Sequence, residues 1–512
     1  MPVTLVRGAI YSPAHPRATA MIVRDDTIAW IGAAESVLPD DVDAVDDLNG
    51  ALITPAFVDA HVHATSTGIT LTGLDLATSR SLREALDRLE AHCRARAGRM
   101  VIGHGWDESH WPEQRGPLRS ELDRASYGGV VYLSRTDVHS AAVSSALVAA
   151  APQMRTLDGF DDQRPVTGAA HHAARAVAYG SLTQQDRRAA QRATRARAAE
   201  LGIGCLHELA GPEISSADDL SSMLELSATE PGPDVVGYWG ELGGADRARE
   251  LGAVGAAGDL FADGSLGSHT AYLRTVYEDA DHRGTAYLTA AQVRDHVLAC
   301  VDSDLQAGFH AIGDSALETV VAGFEEAAAR VGADRLRRGR HRLEHVEMAD
   351  ADLVARIAGL GVSASVQPAF DATWGGPDGM YARRLGTRRA EQMNPFAALA
   401  AAGVGLAFGS DSPVTPLDPW GTVRAAVQHF VPGQRMNVDA AFSAHTRGGW
   451  AAAGVDGGGV LTPGQPATWA AWEVDTGGEL RADAALPDLS PGRPLPRCRR
   501  TVVRGQTVYA EE

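Results

Sequence analysis

The sequence predicts an α/β fold: a (β/α)8 TIM barrel, a β-sandwich built from both chain termini, and a cap inserted after the first barrel strand. Three observations predict it. The middle of the 512-residue chain alternates apolar strand-like segments with helical ones, as parallel barrels do. Both ends hold short β-like segments separated by turn residues. The first two barrel strands are separated by far more chain than one helix needs.

The two ends of the chain predict the sandwich. VTLVRGAIYS is followed by ATAMIVRDDTIAWIGAA, in which Asp25 and Asp26 predict a hairpin turn. Near the other end, ATWAAWEVD and TVVRGQTVYAEE lie on either side of a proline-rich loop. We therefore expect a β-sandwich domain from residues 1–52 and 456–512, and a barrel domain from residues 53–455.

Eight strand candidates predict the barrel. In chain order they are residues 53–63, 202–208, 234–240, 257–264, 305–313, 341–347, 362–368 and 405–411. Helical patterns such as ALETVVAGFEEAAARVGA lie between most of them. The long interval after the first strand is expected to form an insertion, residues 65–200, that covers the barrel mouth as a cap.

Charge and cysteine usage limit the classes of partner. With 46 basic and 65 acidic residues the formal net charge is −19, which argues against binding nucleic acid or an anionic membrane. The four cysteines are far apart, and no segment has the run of about 18 apolar residues that a membrane span needs. We expect a cytoplasmic protein whose partner is a small-molecule substrate.

The chain contains no lysine, because all 46 basic residues are arginines. Enzymes that form a Schiff base on lysine, including those that use pyridoxal phosphate, are therefore excluded. A P-loop that binds nucleotide phosphates through its lysine is excluded as well. So is a lysine that takes up carbon dioxide and bridges two metal ions as a carbamate.

Metal-ligand residue types stand at the predicted C-terminal ends of the strands, where barrel enzymes carry their chemistry. Strand one ends in His61-Val62-His63, and residues i and i+2 of a strand share a face. His310, His345 and Asp411 end strands five, six and eight. Imidazoles and a carboxylate suit zinc or another first-row ion, which lowers the pKa of a water from about 15.7 to roughly 7. Asp411 could then carry its proton, with His345 either a ligand or a group that orients the water.

Other polar and aromatic residues are secondary candidates. They are Asp59 beside the paired histidines, His207 on strand two, Asp259 and Asp263 on strand four, Gln367 on strand seven and Trp106 in the insertion. Asp59 is expected to support a ligating histidine. His207, Asp263 and Gln367 are expected to contact substrate. Trp106 would line the substrate pocket or belong to the core of the cap.

Seven motifs run in order along almost the whole chain. They are ITPAFVDAHVHA, GHGWDESHW, LSRTDVHSAAVSSAL, DLFADGSLGSHTA, FHAIGDSAL, RHRLEHVE and AFGSDSPVTPLDPW, followed by VVRGQTVY near the end. With them the sequence resembles the amidohydrolase superfamily, in its long branch (amidohydrolase family 3) that includes the N-substituted formamide deformylases. The resemblance implies hydrolysis of a C–N bond in an amide or formamide-like group. It also implies metal or water-activating roles for the five residues at the strand ends, substrate contact for His139 in the cap, and a homodimer by analogy.

One position departs from the branch. It often reads KLFADGS where this chain reads DLFADGS, so Asp259 stands in place of a lysine that bridges two metals as a carbamate. Aspartate is much shorter, and it could bridge only if the backbone moved inward. We therefore expect one ion, zinc, rather than two, and metal loading that does not depend on bicarbonate.

Two other functions stay open at this stage. Relatives with one ion and three histidines and an aspartate deaminate heterocycles, so ammonia release from nucleobases would favour a deaminase. The other alternative is a non-catalytic binding or regulatory protein with a relict site. Loss of hydrolysis in an Asp411→Asn variant that still binds metal would favour catalysis over that alternative.

Overall fold

The computed structural model describes residues 3–38, 41–95, 100–475 and 485–511. Within them the chain forms an eight-stranded sheet, a seven-stranded sheet and a five-stranded sheet. Every strand pair in the eight-stranded sheet is parallel. The predicted α/β barrel with additional sheets is therefore confirmed.

The N-terminal segment contributes four strands to the seven-stranded sheet. They are β1 (Val3–Ile10), β2 (Ala20–Arg24), β3 (Thr27–Gly32) and β4 (Ala44–Pro55), with a 3₁₀ helix at Ala34–Ser36. Asp25, with φ of 58°, lies in the predicted turn between β2 and β3. Residues 53–55, predicted to begin the first barrel strand, end β4 instead.

The first barrel strand and the cap follow. Strand β5 (Phe57–Val62) leads into α1 (Ala64–Thr72). The cap contains β6 (Leu74–Asp75), α2 (Leu82–Ala95), β7 (Val101–Trp106), a 3₁₀ helix (Glu108–His110), α3 (Arg119–Ala125), β8 (Val131–Arg135), β9 (Ser140–Val143), α4 (Ser145–Ala150), a 3₁₀ helix (Pro152–Thr156), β10 (Val166–Thr167), α5 (Gly168–Gly180) and α6 (Gln184–Glu200). A methyl group at Gly68 of α1 would lie 1.9 Å from the carbonyl oxygen of Ala190, so only glycine allows α1 to pack this closely on α6.

The remaining barrel strands alternate with helices. They are β11 (Ile203–Ala210), α7 (Ala217–Thr229), β12 (Asp234–Trp239), α8 (Ala245–Glu250), β13 (Gly255–Ala256), α9 (Ala290–Asp302), β14 (Gln306–Ala311), α10 (Asp314–Val331), α11 (Ala333–Arg338), β15 (Arg342–His345), α12 (Ala351–Leu360), β16 (Ser363–Val366), α13 (Pro368–Trp374), α14 (Met380–Leu385), α15 (Thr387–Ala390), α16 (Phe396–Ala401) and β17 (Leu406–Phe408). A parallel bridge from Val62 to Ser412, just beyond β17, closes the barrel against β5.

The fourth barrel strand is shorter than predicted. Residues 257–264 were expected to form it, but β13 holds only two residues, and a single bridge from Phe261 to His310 continues the ladder. Gly258 has φ of 98°, a conformation that side-chain-bearing residues rarely adopt. The chain turns there, and Asp259 follows outside the regular strand.

The C-terminal segment completes the terminal sheet. After α17 (Pro419–Val427), a 3₁₀ helix (Pro432–Gln434), α18 (Val438–Ala444) and α19 (Arg447–Ala452) come β18 (Trp469–Glu473), β19 (Arg497–Val503) and β20 (Gln506–Ala510). Hydrogen bonds join the strands in the order β20-β19-β18-β4-β1-β2-β3. The predicted β-sandwich is thus one continuous seven-stranded sheet from both termini.

Alternating residues of β18 connect the terminal sheet to the barrel. Ala470 and Trp472 pack into the barrel core, whereas Trp469 and Ala471 belong to the separate core of the terminal sheet. This is the period of two that a strand buried on both faces shows. Among the described helices, none combines the length and the apolar character needed to cross a membrane.

Candidate metal centre

The five residues predicted at the strand ends meet at the barrel mouth. His61 lies on β5, His63 follows it, His310 lies on β14, His345 ends β15 and Asp411 comes shortly after β17. Each is at most 6% exposed. The C-terminal ends of parallel strands lie at one edge of a barrel. His61 and Asp411 therefore come together although they are 350 positions apart in the sequence.

A first group of ligand atoms surrounds His63. Its Nε2 lies 3.0 Å from Oδ2 of Asp259 and 3.1 Å from Oδ1 of Asp411. Nε2 of His61 lies 3.4 Å from each of the same two oxygens. All four ligand atoms lie within 4.8 Å of one another, a spacing that a single cation can bridge.

A second group shares Asp259 with the first. Its other oxygen, Oδ1, lies 3.5 Å from Nδ1 of His310 and 3.5 Å from Nε2 of His345. These three ligand atoms also lie within 4.8 Å of one another. The turn at Gly258 thus supplies the inward backbone position that the short side chain of Asp259 requires to lie between both groups.

Unpaired buried atoms point to a cation. Five fully enclosed atoms have no hydrogen-bond partner among the described residues: Nε2 of His61, Nδ1 of His310, Nε2 of His345, Oδ1 of Asp259 and Oδ1 of Asp411. Buried polar atoms are normally paired, so five orphans at one place need an explanation. Imidazole nitrogens and carboxylate oxygens are the donors that divalent first-row metals prefer. The residues present therefore fit a divalent metal ion.

The electrostatics favour a cation too. Burial opposes the charged form of His63, but its close contacts with the carboxylates of Asp259 and Asp411 outweigh burial and raise its pKa to about 9. The same two carboxylates raise the pKa of His61 well above its ordinary value, against the effect of burial. Conversely, burial would raise the pKa of Asp411, but His61 and His63 hold it well below its ordinary value. Two ionised carboxylates thus lie in a buried site, where positive charge is strongly attracted.

Acceptors behind the rings fix the orientation of two ligating histidines. Nδ1 of His63 donates to the carbonyl oxygen of Leu209 at 3.0 Å, since a carbonyl can only accept. Nδ1 of His345 lies 2.9 Å from Oε1 of Gln367. A proton held on Nδ1 leaves the lone pair of Nε2 free to face the centre. Gln367, expected to contact substrate, therefore lies behind a ligand.

A buried ion pair, Arg342 and Glu344, fixes the ring of His61, and neither residue is among the predicted site residues. Nδ1 of His61 lies 2.9 Å from Oε2 of Glu344, and Arg342 donates from Nε to Oε1 of Glu344 at 2.5 Å. The three side chains are all 0% exposed. The alternation in HRLEHVE, which puts Arg342 and Glu344 on one face of β15, was the available signal, but it does not reveal which histidine they meet.

Hydrogen bonds within the protein hold three further candidates. His207, predicted to contact substrate, is 0% exposed and accepts from Nη1 of Arg342 at 3.1 Å, inside the barrel. Asp263, also predicted to contact substrate, is 0% exposed and accepts the backbone N–H groups of Tyr272, Ile312 and Gly313. Asp59 accepts the backbone N–H groups of His61 and Ser410, so it contacts a candidate ligand histidine through the backbone and not through the imidazole ring.

Trp106 belongs to the core of the cap. It is 2% exposed, donates from Nε1 to the carbonyl oxygen of Leu133 at 2.7 Å, and lies 6.3 Å from the ring of Trp111. These contacts favour the core alternative for Trp106, whose side chain packs in the hydrophobic core of the cap. Trp106 ends β7, which is paired with β8, so its indole reaches the backbone of Leu133 on β8.

His139 is the predicted cap residue that does reach the centre. Its ring centroid lies 5.4 Å from that of His310 and 5.6 Å from that of Phe261. Burial lowers its pKa to about 3, so the imidazole is neutral. Oδ1 of Asp137 accepts its backbone N–H at 3.2 Å.

The cap is attached to the barrel through the other oxygen of that carboxylate. Oδ2 of Asp137 accepts from Oγ of Ser265 at 3.0 Å and from Oγ of Ser268 at 2.7 Å, both in the loop after Asp259. Arg135, buried beside it, donates to the same oxygen at 2.9 Å. One carboxylate thus fixes both His139 and the barrel loop.

A cavity of about 570 Å³ opens beside Asp259 between the cap and the barrel loops. Its walls include Asp158 and His172 from the cap, and Glu213, Glu241, Phe261 and Tyr287 from the barrel. The volume suits a small-molecule ligand.

The backbone is strained at two of the ligands. His345 has φ of 71° and Asp411 has φ of 53°, in the left-handed region that non-glycine residues rarely adopt. Such conformations cost about 1–3 kcal/mol each and tend to persist at functional sites.

Known proteins share this sequence and architecture. The profile described as Amidohydrolase family (Amidohydro_3) matches residues 44–509. LONG AFTER FAR-RED 3 of Arabidopsis thaliana is 26% identical over 93% of this chain and 87% of its own length. The N-substituted formamide deformylase of Arthrobacter pascens is 23% identical over 83% of each chain. The crystal structure of an uncharacterized metal-dependent hydrolase from Pyrococcus furiosus has a TM-score of 0.70 and 25% identity, covering 91% of this chain and 97% of that one. The chain therefore belongs to the amidohydrolase family and combines the fold of a metal-dependent hydrolase with candidate ligands for a divalent metal.

Proposed function

We propose that the protein hydrolyses a C–N bond, in an amide or formamide-like group of a small molecule, with the aid of bound zinc. The observation that carries the proposal is the convergence of four histidines and two aspartates whose unpaired atoms face one another at the barrel mouth. The similarity to the N-substituted formamide deformylase of Arthrobacter pascens supports the choice of bond.

Hydrolysis adds water to the carbonyl carbon, breaks the C–N bond and gives an acid and an amine. A divalent ion supplies Lewis acidity, which polarises the carbonyl and makes a water acidic at neutral pH. Asp411 lies buried at the barrel mouth, 3.1 Å from Nε2 of His63, where its carboxylate can accept a proton from the attacking water. It then delivers that proton to the departing nitrogen. Neutral His139 faces the same space and is suited to orient the substrate.

We further infer that each of the two ligand groups would hold one ion, with Asp259 contributing one oxygen to each group, in contrast to the single ion expected from the sequence. Each oxygen of Asp259 faces a different pair of imidazoles, which supports the inference. Metal analysis of purified protein tests it. We expect two ions per wild-type chain and fewer in Asp259→Asn, whereas a single ion in both proteins would contradict it.

The activity test is a screen of N-formyl, N-acyl and cyclic amides on metal-reconstituted protein. We expect metal-dependent turnover of at least one amide, and its loss in Asp411→Asn while at least one ion stays bound. Heterocyclic amines belong in the same screen, because ammonia release from them without amide cleavage would favour the deaminase alternative. If neither class is turned over by loaded protein, the proposal is wrong.

Location and assembly belong to the same proposal. All four cysteines are free thiols, which agrees with a reducing compartment such as the cytoplasm. Light scattering of the purified protein tests the expected homodimer.

A further inference from the structure

Arg175 is a buried cation without a hydrogen-bond or ion-pair partner in the described part of the chain. It lies on α5 and is 6% exposed. Among the described residues, its guanidinium forms neither a hydrogen bond nor an ion pair, and Nε is fully enclosed without an acceptor. The terminal nitrogens are not among the fully enclosed atoms, so the tip of the side chain reaches accessible space.

The other buried arginines of this chain show how unusual that is. Arg135 and Arg342 donate to carboxylates, and Arg119 and Arg195 donate to backbone carbonyl oxygens. A charge removed from water is strongly unfavourable unless an opposite charge or several acceptors compensate it. Among the residues that the structure describes, the fold therefore supplies polar partners to four buried guanidiniums and leaves that of Arg175 without one.

A second buried side chain with an unpaired polar atom, His171, lies one helical turn from Arg175. His171, at position i−4 relative to Arg175, is 1% exposed, and its Nδ1 is enclosed without a partner. Its Nε2 lies 2.9 Å from Oη of Tyr132. When that hydroxyl donates to Nε2, Nδ1 carries the proton and can donate to an anion. Two unsatisfied donors thus lie on the same face of α5.

The surrounding contacts connect this face to helix α1. The guanidinium of Arg175 stacks 5.3 Å from the ring centroid of Tyr179, whose hydroxyl donates to Oγ of Ser66 at 3.0 Å. Ser66 lies in the first turn of α1, which begins directly after His63. The orphan pair therefore lies along the helix that leaves the first metal-ligand strand.

The 570 Å³ cavity reaches the same helix. His172, which follows His171, lines the cavity and pairs with Glu213 across it. Arg175 itself acts on Glu213: hydrogen bonding to His172 is the main cause of the lowered pKa of Glu213, and Arg175 adds to it. Since His172 already pairs with Glu213, this carboxylate of the cavity wall is not a free partner for Arg175.

We propose that Arg175 and His171 form a subsite that binds a carboxylate group of the substrate, away from the bond that is hydrolysed. The proposal rests on the proposed function. A guanidinium presents two parallel N–H groups that match the two oxygens of a carboxylate. One arginine with one neutral imidazole balances a single negative charge, which suits a carboxylate better than a doubly charged phosphate.

Binding of simple carboxylates tests the subsite without relying on turnover. Calorimetric titration of benzoate and acetate into wild-type protein, with benzamide and acetamide as neutral analogues, should show binding of the anions only. Arg175→Met should weaken anion binding by about tenfold or more. Arg155→Met, which replaces a half-exposed arginine of the cap, is the matched control and should bind like the wild type. Equal anion binding by Arg175→Met and wild type would overturn the proposal.

Thermal unfolding separates a binding role from a structural one. Because the charge has no protein partner, Arg175→Met should keep the melting temperature of the wild type or exceed it, whereas a fall of many degrees would identify Arg175 as structural. Arg175→Lys keeps the charge but loses the paired geometry, so it should bind benzoate with intermediate affinity.

Kinetics then connect the subsite to the reaction. Among formamido carboxylic acids of several chain lengths and their carboxamides, Arg175→Met should raise the KM of the acids about tenfold and leave the carboxamides unchanged. Carboxamide turnover with no preference for any acid would overturn the subsite while leaving the proposed function intact. Absence of all turnover would contradict the proposed function, and the benzoate titration would still decide the subsite.

Discussion

Oε2 of Glu344 lies 2.9 Å from Nδ1 of His61, and both side chains are completely buried. Arg342 neutralises Glu344 from the opposite side, and Arg342 and His61 together hold the pKa of Glu344 at about 2 despite its burial. The carboxylate is therefore ionised and fixes the proton of His61 on Nδ1. A ligand imidazole held in this way presents its other nitrogen as a stronger and better oriented donor.

Glu344→Gln should weaken metal binding. The amide keeps the shape but loses the charge that polarises His61, so we expect a loss of about 10- to 100-fold in metal affinity. Competition with a chelator measures it, with the exposed Glu250→Gln as control. Because Arg342 loses its counter-ion, the melting temperature should be recorded as well. Unchanged metal affinity in a folded Glu344→Gln protein would contradict the positioning role.

The fold and the main ligands could be predicted because they follow from local patterns. An apolar run followed by His63, His310 or Asp411 indicates both that a strand is present and which residue ends it. The position of Asp259 could not be predicted, because it depends on the turn at Gly258, which ends the strand although the apolar pattern continues beyond it. The role of Glu344 depends on which side chain lies opposite it across the barrel, and no spacing along the chain encodes that.

The roles of polar residues within a strand were harder to predict than the roles of polar residues at its C-terminal end. His207 lies within β11 and not at its end. Its side chain therefore contacts Arg342 in the barrel interior and not the mouth. No sequence pattern indicates that Arg175 is buried, because an arginine on an amphipathic helix usually faces solvent. Only its burial and missing partners distinguish it.

Metal loading should be independent of bicarbonate. The chain has no lysine to form a carbamate, and the carboxylate of Asp259 occupies the place between the two ligand groups. Metal-free protein reconstituted in carbon dioxide-free buffer should therefore take up as much metal, and reach the same activity, as protein reconstituted with added bicarbonate. A rise in metal content on adding bicarbonate would show that another group forms the bridge.

Asp137→Asn should impair the site through the cap. The amide cannot accept from Ser265, Ser268 and Arg135 as the carboxylate does, so the cap and His139 should lose their fixed position. We expect a higher KM for any amide that the screen identifies and a loss of about 1–3 kcal/mol in stability. Steady-state kinetics and thermal unfolding measure the two effects, with Asp161→Asn, at an exposed turn of the cap, as control. A variant that loses stability but keeps its KM would show that Asp137 does not position His139.

His445→Asn should make the protein less sensitive to acid. His445 is 1% exposed, its Nδ1 donates to the carbonyl oxygen of Val58 at 2.9 Å, and burial lowers its pKa to about 4. In the unfolded chain its pKa returns to about 6.5, so below that pH the unfolded state takes up a proton that the folded state refuses. The neutral imidazole therefore contributes its full stability above about pH 6.5 and loses roughly 3 kcal/mol as the pH falls to about 4. Asparagine keeps a donor for Val58 but does not titrate, so the stability advantage of the wild type over the variant at pH 7.5 should shrink at pH 4.5. Thermal unfolding of metal-free proteins at both pH values measures this, with His110→Asn at an exposed position as control. A constant difference between wild type and His445→Asn across the two pH values would show that His445 does not set the acid response.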